Sequence, residues 1–388
     1  MPPRRRPYTR RRAAARRTPF KRRAPARKSR VSRSKKSACV CPNELTPSAK
    51  FALAQLDPFE PLAQGAKVPD STTIPSIANC DTDQVALTTS AAQTLAAFAF
   101  WPTYTAATLV ATHAAGVLSW NTTTVGALQN RRNQAAVVTN IEGIRPVAHA
   151  IRISSSLAST SATGFVHIGI ATESRLTAVA NTWQLPVDVN EMTGLAHYKR
   201  FTLSALTQSP ITAINKWLDE TAFRYEIPEA INAPTGTASN LANFVFGGSW
   251  GQLVVMVENV PASSTILSAE HILLTEMLPK KTGFLIGSQA APNSPGTMSA
   301  VSSMTSETDF AHTEAGQDGH IQQGLGALQR GAAAAGEQIF QNVAIPLAQR
   351  VGGAAVNTAF NYGMAALIGL GGISGVNSNP NRLAINNR

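Results

Sequence analysis

The sequence predicts an all-β sandwich body, preceded by a basic arm and followed by a helical tail. Three observations predict it. Residues 1–36 hold 17 of the 34 basic residues and no acidic one. From about residue 84 to 280, short runs of alternating apolar and polar residues recur between Gly, Pro, Asn and Ser-Thr clusters, the pattern of a sandwich. From residue 319 the chain becomes rich in Ala, Gly and Gln, with apolar residues at helical spacing.

The arm, residues 1–38, carries Arg4, Arg5, Arg6, Arg10, Arg11, Arg12, Arg16, Arg17, Lys21, Arg22, Arg23, Arg27, Lys28, Arg30, Arg33, Lys35 and Lys36. The rest of the chain carries 17 basic against 22 acidic residues, a net of −5, although the whole stands at +12. Such a block of like charge repels itself and is expected to be disordered until it meets a polyanion. Prolines at 2, 3, 7, 19 and 25 oppose a long helix. Clustered arginine suits phosphate neutralisation with counterion release, and only Tyr8 and Phe20 could stack on bases, so sequence-specific readout is not expected. A nuclear-targeting signal needs only one of these clusters.

Residues 39–83 read as a connector punctuated by Asp57-Pro58, Pro69-Asp70 and Pro75-Ser76. Within the body, 84–281, strands are predicted at Val147–Ser154, Thr163–Ile170, His197–Leu206, Asn243–Phe246, Gln252–Val257 and Ile266–Leu278. A helix is predicted at Ser209–Thr221, with Pro210 in its first turn and Trp217 facing inward. Tyr198, Phe201 and Trp217 are expected to be largely buried. Absence of βαβ alternation excludes a doubly wound sheet.

Residues 282–318 read as a polar linker. In the tail, 319–388, Pro346 should kink or divide the helix. Between Arg350 and Arg382 the only ionisable side chain is Tyr362, and Ala365–Leu370 is the apolar centre. That stretch reads either as a helix packed on the body or a neighbouring subunit, or as a membrane-active peptide. Asn357, Asn361 and repeated Gly interrupt it too often for a stable span.

Composition excludes several classes. Three cysteines cannot build a disulfide framework, and no apolar stretch follows the basic start as in a secretory signal. Charged residues are only 14%, unlike a conventional intracellular enzyme. Cys39-Val40-Cys41 with Cys80 lacks a fourth zinc ligand, there is no Gly-x-Ser-x-Gly elbow, and His149, His167 and His197 read as structural strand residues. No resident cofactor is expected. Asp81-Thr82-Asp83 could hold calcium at a subunit interface, and is expected to need a turn before both carboxylates reach one ion.

Lys50-Phe51-Ala52-Leu53-Ala54 with Gly65-Ala66-Lys67-Val68-Pro69-Asp70 resembles the segment after the arm in nodavirus coat proteins. Gly248–Glu258 and Ala269–Pro279 resemble the last two barrel strands of that family, whose lineage includes coat proteins of diatom-infecting single-stranded DNA viruses. The resemblance implies an eight-stranded antiparallel jelly roll with a projecting insertion. It implies a major capsid protein that self-assembles into a non-enveloped icosahedral shell, with arm and tail facing the viral genomic nucleic acid. A shell of about 180 copies would bring on the order of 3,000 arm charges inside. The chain would reside in the virion, and in host cytoplasm or nucleus during assembly, and the tail could reach the host membrane. Genome chemistry, RNA or DNA, stays open.

The resemblance also implies single-turnover self-cleavage near the C-terminus rather than enzymatic turnover. An Asn amide nitrogen attacks its own main-chain carbonyl, and a buried carboxylic acid of raised pKa shuttles the proton. The matching positions are Asn342 and Asp81, but Val343 stands where a small residue is expected and crowds the attack. The competing function is a cellular nucleic-acid-binding scaffold, which would share the arm but not need the strand-rich body and apolar tail.

Overall fold

A computed structural model of the chain describes residues 45–351, except 90–94, 106, 115–116, 121–127, 173–175, 178–181, 184, 196, 229–248, 282 and 284. All seventeen basic arm residues from Arg4 to Lys36, Cys39, Cys41, the expected strand at Asn243–Phe246, and the tail after Val351 with its centre at Ala365–Leu370 lie outside the described residues.

Along the chain the principal strands are β1 (Ile77–Thr88), β2 (Leu95–Phe100), β3 (Thr108–Val110), β4 (Leu128–Gln129), β5 (Ile141–Ser155), β6 (Phe165–Ala171), β7 (His197–Thr202), β8 (Ile211–Ile214), β9 (Gln252–Glu258), β10 (Thr265–Pro279) and β11 (Ala311–Thr313). They form two antiparallel sheets. The five-stranded sheet has the order β1-β10-β5-β8-β11, and the six-stranded sheet the order β7-β6-β9-β2-β3-β4. β1 lies beside β10, and β2 beside β9, so early strands pair with late ones in both sheets, the wiring of a jelly roll.

The two sheets enclose a core of Val85, Leu87, Phe98, Phe100, Ile151, Ile153, Val166, Ile168, Leu253 and Val255. β9 shows why an apolar run forms a strand here. Leu253, Val255 and Val257 face that core, while Val254 and Met256 face a second cluster with Trp101, Trp120 and Leu185 on the outer side. Both faces of β9 are buried, so its sequence is nearly continuous in apolar residues instead of alternating.

A helical layer covers the outer face of the five-stranded sheet. It contains α1 (Pro47–Leu56), α3 (Pro295–Glu307), α4 (Gln317–Ala335) and α5 (Ile345–Val351); the short α2 (Gln134–Asn140) lies elsewhere, before β5. α1 starts where the Thr46 side chain accepts a hydrogen bond from the Ala49 amide at 3.2 Å, with Pro47 in the first turn. It ends at Asp57, whose amide bonds the Leu53 carbonyl at 2.7 Å. Ala49 through Leu56 are buried except Lys50, because α1 is wedged between the sheet and the other helices. Its one polar residue at the sheet, Gln55, donates to the Val147 carbonyl.

Close helix packing depends on two glycines of α4. A Cβ at Gly324 would meet Leu56 Cδ1 at 2.1 Å, and one at Gly331 would meet the Ala300 Cα at 2.8 Å. No larger residue fits at that separation.

Four sequence expectations differ from this architecture. Ser209–Thr221 is not a helix: Ile211–Ile214 is β8, paired on one side with β5 and on the other with β11, followed by an isolated bridge Trp217–Trp250. All four β8 residues are buried, so two-sided pairing overrides a helical pattern that local propensity supports only weakly. The connector contains α1, and the polar linker contains α3 and β11. Tyr198, Phe201 and Trp217 are half-buried; among the described residues the fully buried large aromatics are Phe51, Phe98, Phe100, Trp120 and Trp250. Pro346 lies in the first turn of α5, after a π-helical stretch at Phe340–Ala344, and so divides the tail.

Candidate interior face and maturation site

The described body starts and stops in one layer. Leu45 is part of the helical-layer core, and Val351 packs against the same cluster. The sheet contributes Val147, Ala148 and Leu274 to it, and the helices contribute Phe51, Leu53, Val301, Leu325, Leu328 and Leu347. The first and last described residues, Leu45 and Val351, therefore belong to the layer that coats one face of the sandwich.

Asp81 sits in mid-β1, opposite Leu273 of β10. It is 7% exposed, and its Oδ2 has no hydrogen-bond partner among the described residues. Burial lifts its carboxyl above the ordinary aspartate range, against the opposing pull of the Arg131 guanidinium. Asp83 shares its face, since residues two apart on a strand point the same way; no turn is needed, contrary to the sequence expectation. Asp83 accepts from the Arg132 amide at 3.2 Å and lies 3.9 Å from its guanidinium. Among the described residues no three His, Cys, Asp or Glu side chains gather as a metal-binding group.

Asn342 is exposed within the π-helical stretch, and its carbonyl accepts a 2.9 Å hydrogen bond from Thr46 Oγ1 at the start of α1. Val343 is buried at 1% in the helical layer. The structure does not bring Asp81 and Asn342 together. Cys80, the residue before Asp81, packs on the helical-layer cluster, so Asp81 points to the other side of the sheet, toward the cluster of Tyr104, Ile144 and Leu273.

A buried ionic network underlies the segment Gly65–Asp70, and sequence reading missed it. Arg145, 1% exposed, bonds Glu276 through Nε at 3.0 Å and Nη2 at 2.7 Å, and also holds Asp70 and the Phe223 carbonyl. Glu276, fully buried, accepts from the Val68 amide at 3.1 Å and Ser76 Oγ at 2.5 Å. Lys67 Nζ donates to the carbonyls of Ser76, Ser288 and Gln289 at 2.7, 3.1 and 2.9 Å. The Arg145 charge holds the Asp70 carboxyl below the usual range despite the opposing effect of burial. The available signal was a charge of each sign inside largely apolar strands, at positions that pair directly, Arg145 with Glu276.

His149, His167 and His197 lie on β5, β6 and β7, as expected of structural histidines. Among the described residues no helix is long and apolar enough to cross a membrane.

No family model and no curated protein matches the chain. Solved structures do show likeness, and they include subunits of icosahedral virus particles. One is the infectious bursal disease virus particle, with a TM-score of 0.48 at 11% identity over 74% of this chain and 97% of that one. A second structure of that virus, of its Gx strain, gives 0.49 at 11% identity over 71% and 98%. Tobacco necrosis virus gives 0.32 at 13% identity over 53% and 97%. At these scores the likeness carries no function to this chain.

Proposed function

We propose that the chain is the major capsid protein of a small non-enveloped icosahedral virus, a structural protein that encloses a genome. One observation carries the reading: the described body begins and ends in the same helical layer, and the sequence outside it holds a +17 block at residues 1–36 and a largely apolar stretch after Val351. The cationic block in this reading serves a polyanion, and the mildly acidic remainder of the chain does not compete for it. Strands β1, β10, β5 and β8 with β7, β6, β9 and β2 serve in this reading as the eight of a jelly roll, and β3, β4 and β11 as additions.

In this reading the arm neutralises genome phosphates without reading sequence, and many copies, on the order of 180, close the shell. The order of motifs from Lys50 to Pro279 supports a nodavirus-like lineage. Calcium at Asp81 and Asp83 would need further ligands from a neighbouring copy. The tail is read as an internal helix that could contact a host membrane if released. The sheet between Asp81 and Asn342 argues against that pair as a cleavage centre.

Electron microscopy of the full-length chain, expressed alone and purified, tests the reading. Closed particles of uniform diameter containing nuclease-protected nucleic acid are expected; only small soluble oligomers would point to a cellular scaffold instead.

A further inference from the structure

Beside Asp81 a cavity of about 240 Å³ opens at the edge of the sandwich, its lining including Asp83, Gln84, Thr108, Arg131, Arg132 and His271. Its volume is below the roughly 300 Å³ at which pockets begin to take drug-sized ligands, so only a small group fits.

Two of the lining side chains are buried and carry unused donors. Arg131 is 2% exposed. Its Nε donates to the Thr103 carbonyl at 3.3 Å, and its Nη1 to the carbonyls of Asp81 and His271 at 3.1 and 3.3 Å. All three bonds end on main-chain oxygens, and Nη2 has no partner among the described residues. The charge is therefore buried without a directly bonded carboxylate, an arrangement that disfavours the charged form. Desolvation accordingly lowers the Arg131 pKa, more than nearby Asp81 raises it.

The second donor is fixed by a chain of hydrogen bonds. Asn215 Nδ2 donates to the Gly251 carbonyl at 2.7 Å and to His149 Nδ1 at 3.0 Å, while Asn215 Oδ1 accepts from the Lys216 amide at 3.0 Å. That network sets the amide orientation and makes His149 Nδ1 an acceptor, so the His149 proton is on Nε2. His149 Nε2 lies 2.5 Å from His271 Nε2, which must accept. His271 then carries its proton on Nδ1, and that atom is buried with no partner among the described residues.

We infer that the cavity binds a small oxyanion, a carboxylate or phosphate group, held between Arg131 Nη2 and His271 Nδ1–H. A planar guanidinium matches the oxygens of either group, and a charge-assisted bond is stronger than a neutral one. Asp83 does not block the site, because its carboxylate is engaged by the Arg132 amide.

Thermal melting of the full-length chain at constant ionic strength tests this, with chloride replaced stepwise by inorganic phosphate or by acetate. The arm also attracts phosphate, so Arg131→Met and Arg330→Ala chains run in parallel, Arg330 being an exposed arginine paired with Glu307 away from the cavity. The wild type and Arg330→Ala should gain stability saturably, and Arg131→Met should lose that gain. Loss of the gain for phosphate alone, or for acetate alone, identifies which oxyanion occupies the cavity. Equal gain in all three chains, or none in the wild type, overturns the inference. Should Arg131→Met fail to fold, wild-type crystals grown with selenate decide it. An anomalous peak within hydrogen-bond distance of Arg131 Nη2 supports the site, and a cavity holding only water overturns it.

Discussion

The imidazole of His312 stacks on that of His320, with ring centroids 4.0 Å apart and 16° between planes. His312 belongs to β11, the edge strand paired with β8, and His320 to the start of α4, so the contact ties the helical layer to the sandwich edge. His320 Nε2 donates to the Leu56 carbonyl at 3.1 Å, bringing in α1. Lys216 Nζ reaches the carbonyls of Thr305 and Thr308, each at 2.5 Å, and Lys199 Nζ that of Ala311 at 2.7 Å. Burial lowers both histidines, His312 to about 3, and lowers Lys216 to about 8.

This stack predicts acid sensitivity. Burial holds His149, His271, His312 and His320 neutral in the folded chain, whereas an unfolded imidazole takes a proton near pH 6.5. Below that pH the unfolded state binds more protons, so the stability is present above about pH 6.5 and lost as the pH falls, by up to about 1.4 kcal/mol per pH unit per imidazole. Arg131 adds to the effect at His149 and His271; Lys199 and Arg152 add to it at His312, Lys216 adds to it at His320, and Asp309 opposes it at both. Asp57 also opposes it at His320. Melting temperature should drop steeply between about pH 7 and 5, and His312→Phe should make the drop shallower. A flat profile would contradict the burial of these rings.

Removing Glu276 should be costly. Glu276→Ala leaves buried Arg145 with the Phe223 carbonyl and a single carboxylate, Asp70, which is 30% exposed, and strands the Val68 amide and Ser76 Oγ. Breaking a buried pair from one side costs about 3–5 kcal/mol. Denaturant unfolding measures it; a loss under about 1 kcal/mol would mean that the network is hydrated.

Two alanine substitutions in α4 should have opposite signs. Gly319 has nothing within 4 Å of the place a Cβ would take, so Gly319→Ala should stabilise by up to about 1 kcal/mol through helix propensity. Gly324→Ala drives its Cβ into Leu56 and should cost about 1–3 kcal/mol. Equal effects in unfolding experiments would rule out the tight α1–α4 contact.

Much of the sandwich was legible, and the misses have physical causes. β5, β6, β7, β9 and β10 fall on predicted strands because their apolar patterns are long and bounded by turn residues. β1 was not foreseen, since Asn79, Asp81 and Asp83 dilute its pattern at a sheet edge. β8 is four residues long and could be identified only from its partners on either side. α1 had a visible start in Thr46-Pro47, but all its faces are apolar, so no amphipathic stripe marked it. α3 hides among Ser, Thr and Gly, buried only through Thr297, Ala300, Val301 and Met304. The basic arm is an expectation from charge composition, and it lies outside the described residues. Asp81 and Asn342 matched by position, yet strand alternation, which sequence does not orient, put a sheet between them.

That separation carries its own prediction. Mass spectrometry of purified particles should find the full-length chain, with no peptide beginning at Val343. Its appearance would require a different acid beside Asn342, and Asp81→Asn should not alter the outcome.

The capsid reading is tested most directly by comparing the nucleic acid inside particles of the full-length chain and of a chain lacking residues 1–36. The shortened chain should keep the melting behaviour of the body, because the described core of the sandwich and helical layer is built from Leu45 onward. Its particles should be empty or filled at random, and its residual nucleic-acid binding should lose the steep salt dependence. Normal genome content in particles of the shortened chain, or no particles from the full-length one, would contradict the account.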